Sequence, residues 1–292
     1  MKRGAPSACV LLACGTWVAA AGESASADWS RALDCYHARR YAEARERFQQ
    51  IAGQRAADPE LDFYLGRLAL WFDEGPLALV HLERAVGQAP REARLHNALG
   101  DAYGLMAQSA NVLAKLSWAG KCLAAYERAV QLDPHTLAFR WSLLGYYCVA
   151  PRLVGGGAEK AQAQSQAIAR LDPAEGRVAR ATLALAESRY AAAFAEFEAV
   201  LAAAPDDFVA LYQIGRCAAL SGREIDRGIR ALRRCLELAP PAGPEMPTHA
   251  FVHHRLGLLL RQKGLLAAAA EAEAAVRRAL PDFRPQKIVL RL

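Results

Sequence analysis

The 292-residue chain is 53% hydrophobic, 23% charged and 8% aromatic, which excludes an intrinsically disordered chain and leaves a soluble, ordered, helical one. Its net charge of +6 comes from 36 Lys and Arg set against 30 Asp and Glu. These charges are interspersed and no run of five basic residues occurs, so the basic stripe that nucleic-acid binding needs is missing and no nucleic-acid partner is expected.

The first element is a leader. Met1-Lys2-Arg3 precedes a mostly apolar stretch from Ala8 to Ala21, followed by small residues. A basic start, a short apolar core and an A-x-A site make a secretory signal. Cleavage fits after Ala21 or after Ala27, so residues 1–27 are assigned to a signal peptide. The apolar stretch is too short for a permanent membrane helix, and no later segment is a candidate span. The mature chain is therefore expected to be periplasmic or secreted. A rival reading comes from Leu11-Leu12-Ala13-Cys14, which resembles a bacterial lipobox and would place a lipid anchor at Cys14.

Seven cysteines occur, and Cys9 and Cys14 fall in the leader. The other five are too few and too scattered for a disulfide framework, and no C-x-x-C pair suggests a metal or redox site. Cys35, Cys122 and Cys235 fall on small, buried repeat positions and read as inert core thiols.

Beyond the leader a repeat emerges. Pro59, Pro90, Pro134, Pro173, Pro205, Pro240 and Pro281 follow one another at 31 to 44 residues. Ahead of most stands a shared phrase, seen in AAYERAVQLDP ending at Pro134 and AFAEFEAVLAAAP ending at Pro205. Earlier in the unit, Leu65-Gly66, Leu99-Gly100, Ile214-Gly215 and Leu256-Gly257 pair a large apolar residue with glycine, and Tyr103 and Tyr147 supply an aromatic slightly further on. This pattern resembles the tetratricopeptide repeat, a helix–turn–helix unit of about 34 residues, here in an exported bacterial protein. The resemblance implies an all-α, right-handed α-solenoid of about seven repeats over residues 28–283. The registers are 28–58, 59–92, 93–136, 137–173, 174–207, 208–242 and 250–283, with 284–292 as a C-terminal capping tail.

Each slot has a physical reading. Glycine on the first helix lets the second cross closely, with Ala78, Ala193 and Ala269 as small partners. Leu82, Tyr126, Phe197 and Leu232 fill the space toward the next repeat, and proline ends the second helix. Three departures stand out. The third unit is about ten residues too long, with the excess between Tyr103 and Cys122, which predicts both its helices extended by a turn or more. Ala150 to Gly157 replaces a short turn in the fourth, and reads as a flexible connection more than an anion cradle. The stretch from Pro241 to Thr248 is an irregular spacer.

No catalytic or phosphate-binding motif is present, so neither a catalytic residue nor a cofactor is predicted. His249 and His253 are spaced i, i+4 with His254 beside them, which would suit a metal. No carboxylate or cysteine adjoins them, so they read as solvated or cap-proximal, and a metal-dependent hydrolase is only an alternative. No metal ligand is assigned.

In the tetratricopeptide family the first helices line a concave groove that holds extended peptides or protein tails. The resemblance therefore implies a non-enzymatic scaffold with a protein or peptide partner, or alternatively a lipid-anchored envelope assembly factor. Helical spacing selects the groove-facing positions: Phe63, Arg67 and Trp71; Arg94, Asn97 and Asp101; Trp141; Tyr212 and Arg216; His254 and Arg261. The competing reading is that the aromatics among them pad neighbouring hairpins. The Lys and Asn set with which some such grooves clamp a terminal carboxylate is not reproduced. The tail carries Ile288-Val289-Leu290, apolar enough to pack on the last hairpin or on a second copy.

Overall fold

The computed structural model describes residues 26–53, 57–241, 246–281 and 283. The leader through residue 25, with Cys14 and the cleavage position after Ala21, lies outside them, and so do Ile288, Val289 and Leu290. Among the described residues there are fourteen α-helices and no strand. They run α1 (26–37), α2 (Tyr41–Ala52), α3 (Pro59–Trp71), α4 (Gly75–Gln88), α5 (Ala93–Ser109), α6 (Val112–Leu132), α7 (Leu137–Val149), α8 (Ala158–Leu171), α9 (Pro173–Ala186), α10 (Tyr190–Ala203), α11 (Phe208–Ser221), α12 (Ile225–Glu237), α13 (His249–Gln262) and α14 (Leu266–Ala279). Consecutive helices pair into seven hairpins, each second helix packing on the first helix of the next hairpin. First helices also touch each other (α3 with α5, α5 with α7, α7 with α9, α11 with α13), whereas second helices do not pack together to that extent among the described residues. The first helices therefore lie on the inside of the curve, and the fold is an all-α solenoid.

The hairpin turns share one device. Arg39, Asp73, Ser188 and Gly264 adopt φ of 59, 59, 58 and 81°. After each, a backbone N–H reaches back across the helix end, as in Glu74 N to Ala69 O at 2.9 Å and Arg189 N to Ala184 O at 2.7 Å. This satisfies carbonyls that the end of a helix leaves open. Two of the prolines do more than stop a helix: Pro59 and Pro173 are first residues of α3 and α9, and Asp58 and Asp172 before them accept from the next free N–H groups. The missing proline N–H costs nothing there, and its fixed φ already suits the helix.

Three of the glycine slots are filled differently from the sequence expectation. A Cβ on Gly66 would meet Leu82 Cγ at 2.5 Å, one on Gly100 the Tyr126 ring at 2.5 Å, and one on Gly215 Leu232 Cγ at 2.3 Å. In these three hairpins the contact is thus glycine against a large side chain of the same hairpin, whereas Gly257 in the last one faces Ala269 and Ala272, small against small as expected. Leu82, Tyr126 and Leu232 close their own hairpin, all being buried.

The third hairpin is extended as its sequence predicts, with α5 at 17 residues and α6 at 21. The Ala150–Gly157 connection contains a short 3-10 turn, Arg152–Val154, and is firmly tied. The N–H groups of Gly155, Gly156 and Gly157 go to the carbonyls of Arg152, Pro151 and Tyr147. Tyr146 Oη lies 2.6 Å from Val154 O and Lys160 Nζ 2.9 Å from Gly155 O. With its N–H groups spent on its own carbonyls, the loop has none of these to offer an anion, and it is not slack.

The solenoid closes on itself. Arg39, in the first turn, donates through Nη2 to the Met246 carbonyl at 2.5 Å, across 207 residues of chain, and its guanidinium lies 5.9 Å from the centre of the Phe251 ring. Trp71, at the end of α3, packs both on the core of the first hairpins and on the core shared by hairpins five to seven. At the far end Phe283 returns onto Phe251, with ring centres 5.0 Å apart.

Candidate interaction face

The residues selected for a groove divide into three groups. Phe63, Arg67, Arg94, Asn97 and Asp101, on α3 and α5, share one partly open stretch of the inner face. Arg94 lies over the Phe63 ring at 5.0 Å and also meets Glu60 at 3.5 Å and Glu92 at 2.9 Å. Arg67 bridges to Asp101 at 3.3 Å and donates to the Tyr36 hydroxyl at 3.5 Å. The second Asp101 oxygen accepts from Tyr126 at 2.7 Å, a phenol whose proton is held well above its ordinary range by burial and by the Asp101 charge. Between these pairs the Asn97 side-chain oxygen is shielded from solvent and has no hydrogen-bond partner.

A second group is buried, which corrects the groove assignment. Trp141 is 4% exposed and sits in the core of hairpins three to five, donating its indole N–H to Glu175 at 2.7 Å. It lies three residues before the buried Leu144, whereas Phe63, Asn97 and Tyr212 lie two before Leu65, Leu99 and Ile214. One residue is about 100° of helix rotation, enough to turn Trp141 onto the packing face. Tyr212 has the groove phase but is fully buried, part of the same core on which Trp71 packs. Arg216, 5% exposed, donates to Gln213 at 3.1 Å, and burial, aided by the Arg255 charge, pulls its guanidinium down to about 10. Trp71 itself is a bridge between the two ends of the chain, not a groove wall.

The third group lies at the C-terminal end. His254 tilts against Phe283 with ring centres 5.3 Å apart, and Arg261 is exposed and paired with Glu273 at 2.5 Å. Neither touches the α3–α5 stretch through any contact described above. The three histidines make separate contacts: His249 Nε2 meets the Leu238 carbonyl at 2.8 Å, and His253 Nδ1 is buried without a partner. Among the described residues no group of three His, Cys, Asp or Glu side chains is placed to hold a metal ion.

Solved structures share this architecture. Yeast Tom70 aligns at TM-score 0.60 and 12% identity over 87% of this chain, which spans about half of that protein, 53%. A tetratricopeptide-repeat protein of Thermus thermophilus aligns at TM-score 0.55 and 21% identity, covering 73% of this chain and 99% of that one. Another from Parabacteroides merdae gives 0.54 and 12%, over 89% and 98%. The fold is the tetratricopeptide-repeat fold. No protein-family model matches the sequence, and no curated protein does.

Within the tetratricopeptide-repeat solenoid Glu175, the acceptor for Trp141, stands on no motif, and Tyr126, legible as a packing residue, gave no sign of its hydrogen bond to Asp101. Asp62, its side chain 3% exposed, is held between His81 at 2.9 Å and Arg84. Burial raises its pKa, but the Arg84 and His81 contacts outweigh burial and leave it below the ordinary carboxylate value. The four fully enclosed thiols, Cys35, Cys122, Cys217 and Cys235, are core residues. Burial pushes Cys122, Cys217 and Cys235 up to about 12 and half-buried Cys148 to about 11, which suppresses the reactive thiolate.

Among the described residues no helix is long and apolar enough to cross a membrane.

Proposed function

We propose that this chain is a non-enzymatic interaction scaffold that holds an extended peptide or protein tail against α3 and α5. The observation that carries the reading is the shielded, unpartnered Asn97 oxygen between the Phe63–Arg94 and Arg67–Asp101 pairs. A buried acceptor left without a donor is costly. An extended peptide presents backbone N–H groups at a spacing that can reach such a position. Arg94 and Arg67 would meet its carbonyls or acidic side chains, and the Phe63 ring an apolar one. The closed C-terminal half contributes rigidity, not contacts.

The scaffold is read as acting outside the cytoplasm after removal of the leader. Of the two cleavage positions, the one after Ala27 falls inside α1, whereas the one after Ala21 leaves the described part of that helix whole. Anchoring through Cys14 is the alternative, and fractionation of wild type against Cys14→Ser separates the two.

Peptides selected from a random library on the full chain test the binding face. Asn97→Ala combined with Arg67→Ala is expected to weaken their binding about tenfold or more with helicity unchanged. Undiminished binding, or selection that yields no peptide, contradicts the assignment.

A further inference from the structure

We propose that the tip formed by the third and fourth hairpins docks on an anionic lipid surface. The inference is independent of the peptide-binding reading, because it concerns the opposite end of α5 and a different set of side chains.

Helices α5 and α6 run 17 and 21 residues where the others from α2 to α14 have 12 to 14, so their shared end projects. At that end Val112 is 77% and Leu113 81% exposed, with Leu116 at 37%. The neighbouring loop adds Leu153 at 81%. The two are fastened together: Tyr146 Oη sits 3.0 Å from the Ala119 carbonyl on α6 and 2.6 Å from the Val154 carbonyl in the loop. Large aliphatic side chains concentrated on a projecting end mark a place of contact, since scattered single exposures need no explanation but clustered ones do.

Charge chooses the partner. No Asp or Glu occurs between Asp101 and Glu127, or between Asp133 and Glu159. The bases Lys115, Lys121 and Arg152 lie within those intervals, all exposed. Lys121 Nζ is 4.6 Å from the centre of the Trp118 ring, an aromatic and a cation at the level where a bilayer interface favours both. Aliphatic side chains would enter the acyl boundary while the lysines and Arg152 reach lipid phosphates. The segments that form the tip, residues 102–126 and 134–158, carry bases and no carboxylate, where a rim between protein copies would pair opposite charges.

Flotation of the full chain with vesicles tests this, using phosphatidylcholine alone and phosphatidylcholine mixed with phosphatidylglycerol. Wild type is expected to float with the anionic vesicles and far less with the neutral ones. Leu113→Ser/Leu116→Ser/Leu153→Ser and, separately, Lys115→Glu/Arg152→Glu are each expected to reduce that flotation about tenfold. The substituted side chains are exposed, so circular dichroism should stay unchanged, and the leader is common to every variant, so a difference reports on the tip. Equal flotation on both vesicle types overturns the proposal, as does unchanged flotation of the variants. Loss of self-association in sedimentation velocity, with flotation untouched, also overturns it and assigns the tip to a second copy of the chain.

Discussion

A single methyl group sets how closely the helices of the sixth hairpin can lie. Leu232, fully buried, covers Gly215 so tightly that a Cβ there would stand 2.3 Å from its Cγ. Gly215→Ala is expected to destabilise the chain by about 2 kcal/mol, because the surrounding core leaves Leu232 nowhere to go. A lower urea midpoint with unchanged slope would record this, whereas an unchanged midpoint would mean that the hairpin yields freely. The reverse effect belongs to Ser188, which holds φ of 58° where a side chain is strained. Ser188→Gly should raise stability by about 0.5 to 1 kcal/mol in the same measurement. The glycines were legible in the sequence because Leu-Gly and Ile-Gly recur in phase. Their covering residues were not, since a glycine announces a close approach without naming what approaches.

At the scale of the element, the last hairpin should respond to pH. Burial, then the neighbouring His249 and Arg278, lowers His253 from its ordinary 6.5. Burial and then Arg255 lower His254, with Glu273 pulling the other way. The unfolded chain therefore takes up these protons at a higher pH than the folded one. Stability is complete above about pH 6.5 and declines as pH falls through that value toward the lowered folded values. Thermal melting from about pH 7.5 down to 5 should show the decline, and His253→Gln/His254→Gln should flatten it. A wild-type midpoint that does not fall over this range would contradict the burial of these rings. The elements themselves were readable from proline spacing, the recurring Leu-Gly pairs and the length of the third unit. Trp141 was misplaced for a definite reason: counting from the start of α7 puts it level with Phe63, but packing phase is fixed by Leu144, one residue out of step. The connection at Ala150 to Gly157 reads as slack from composition alone, because glycine content reveals conformational freedom and not the hydrogen bonds that remove it.

The whole molecule is a solenoid whose two ends meet, and that contact was invisible in the repeat pattern. Repeats encode nearest-neighbour packing, whereas Arg39 on Met246 and Trp71 on the C-terminal core depend on accumulated curvature. Arg39→Ala/Trp71→Ala is expected to keep the helical content and increase the radius of gyration in small-angle scattering, and an unchanged radius would show that the closure carries no weight. The closure also accounts for the covering of Tyr212 and Arg216 on α11, whereas Asn97 on α5 retains an unanswered acceptor. Hydrogen exchange of the full chain, with and without a library-selected peptide, tests this division most directly. Protection should appear in α3 and α5 and leave α11 and the start of α6 unaltered. Protection concentrated on α11, or spread evenly along all seven hairpins, would contradict it.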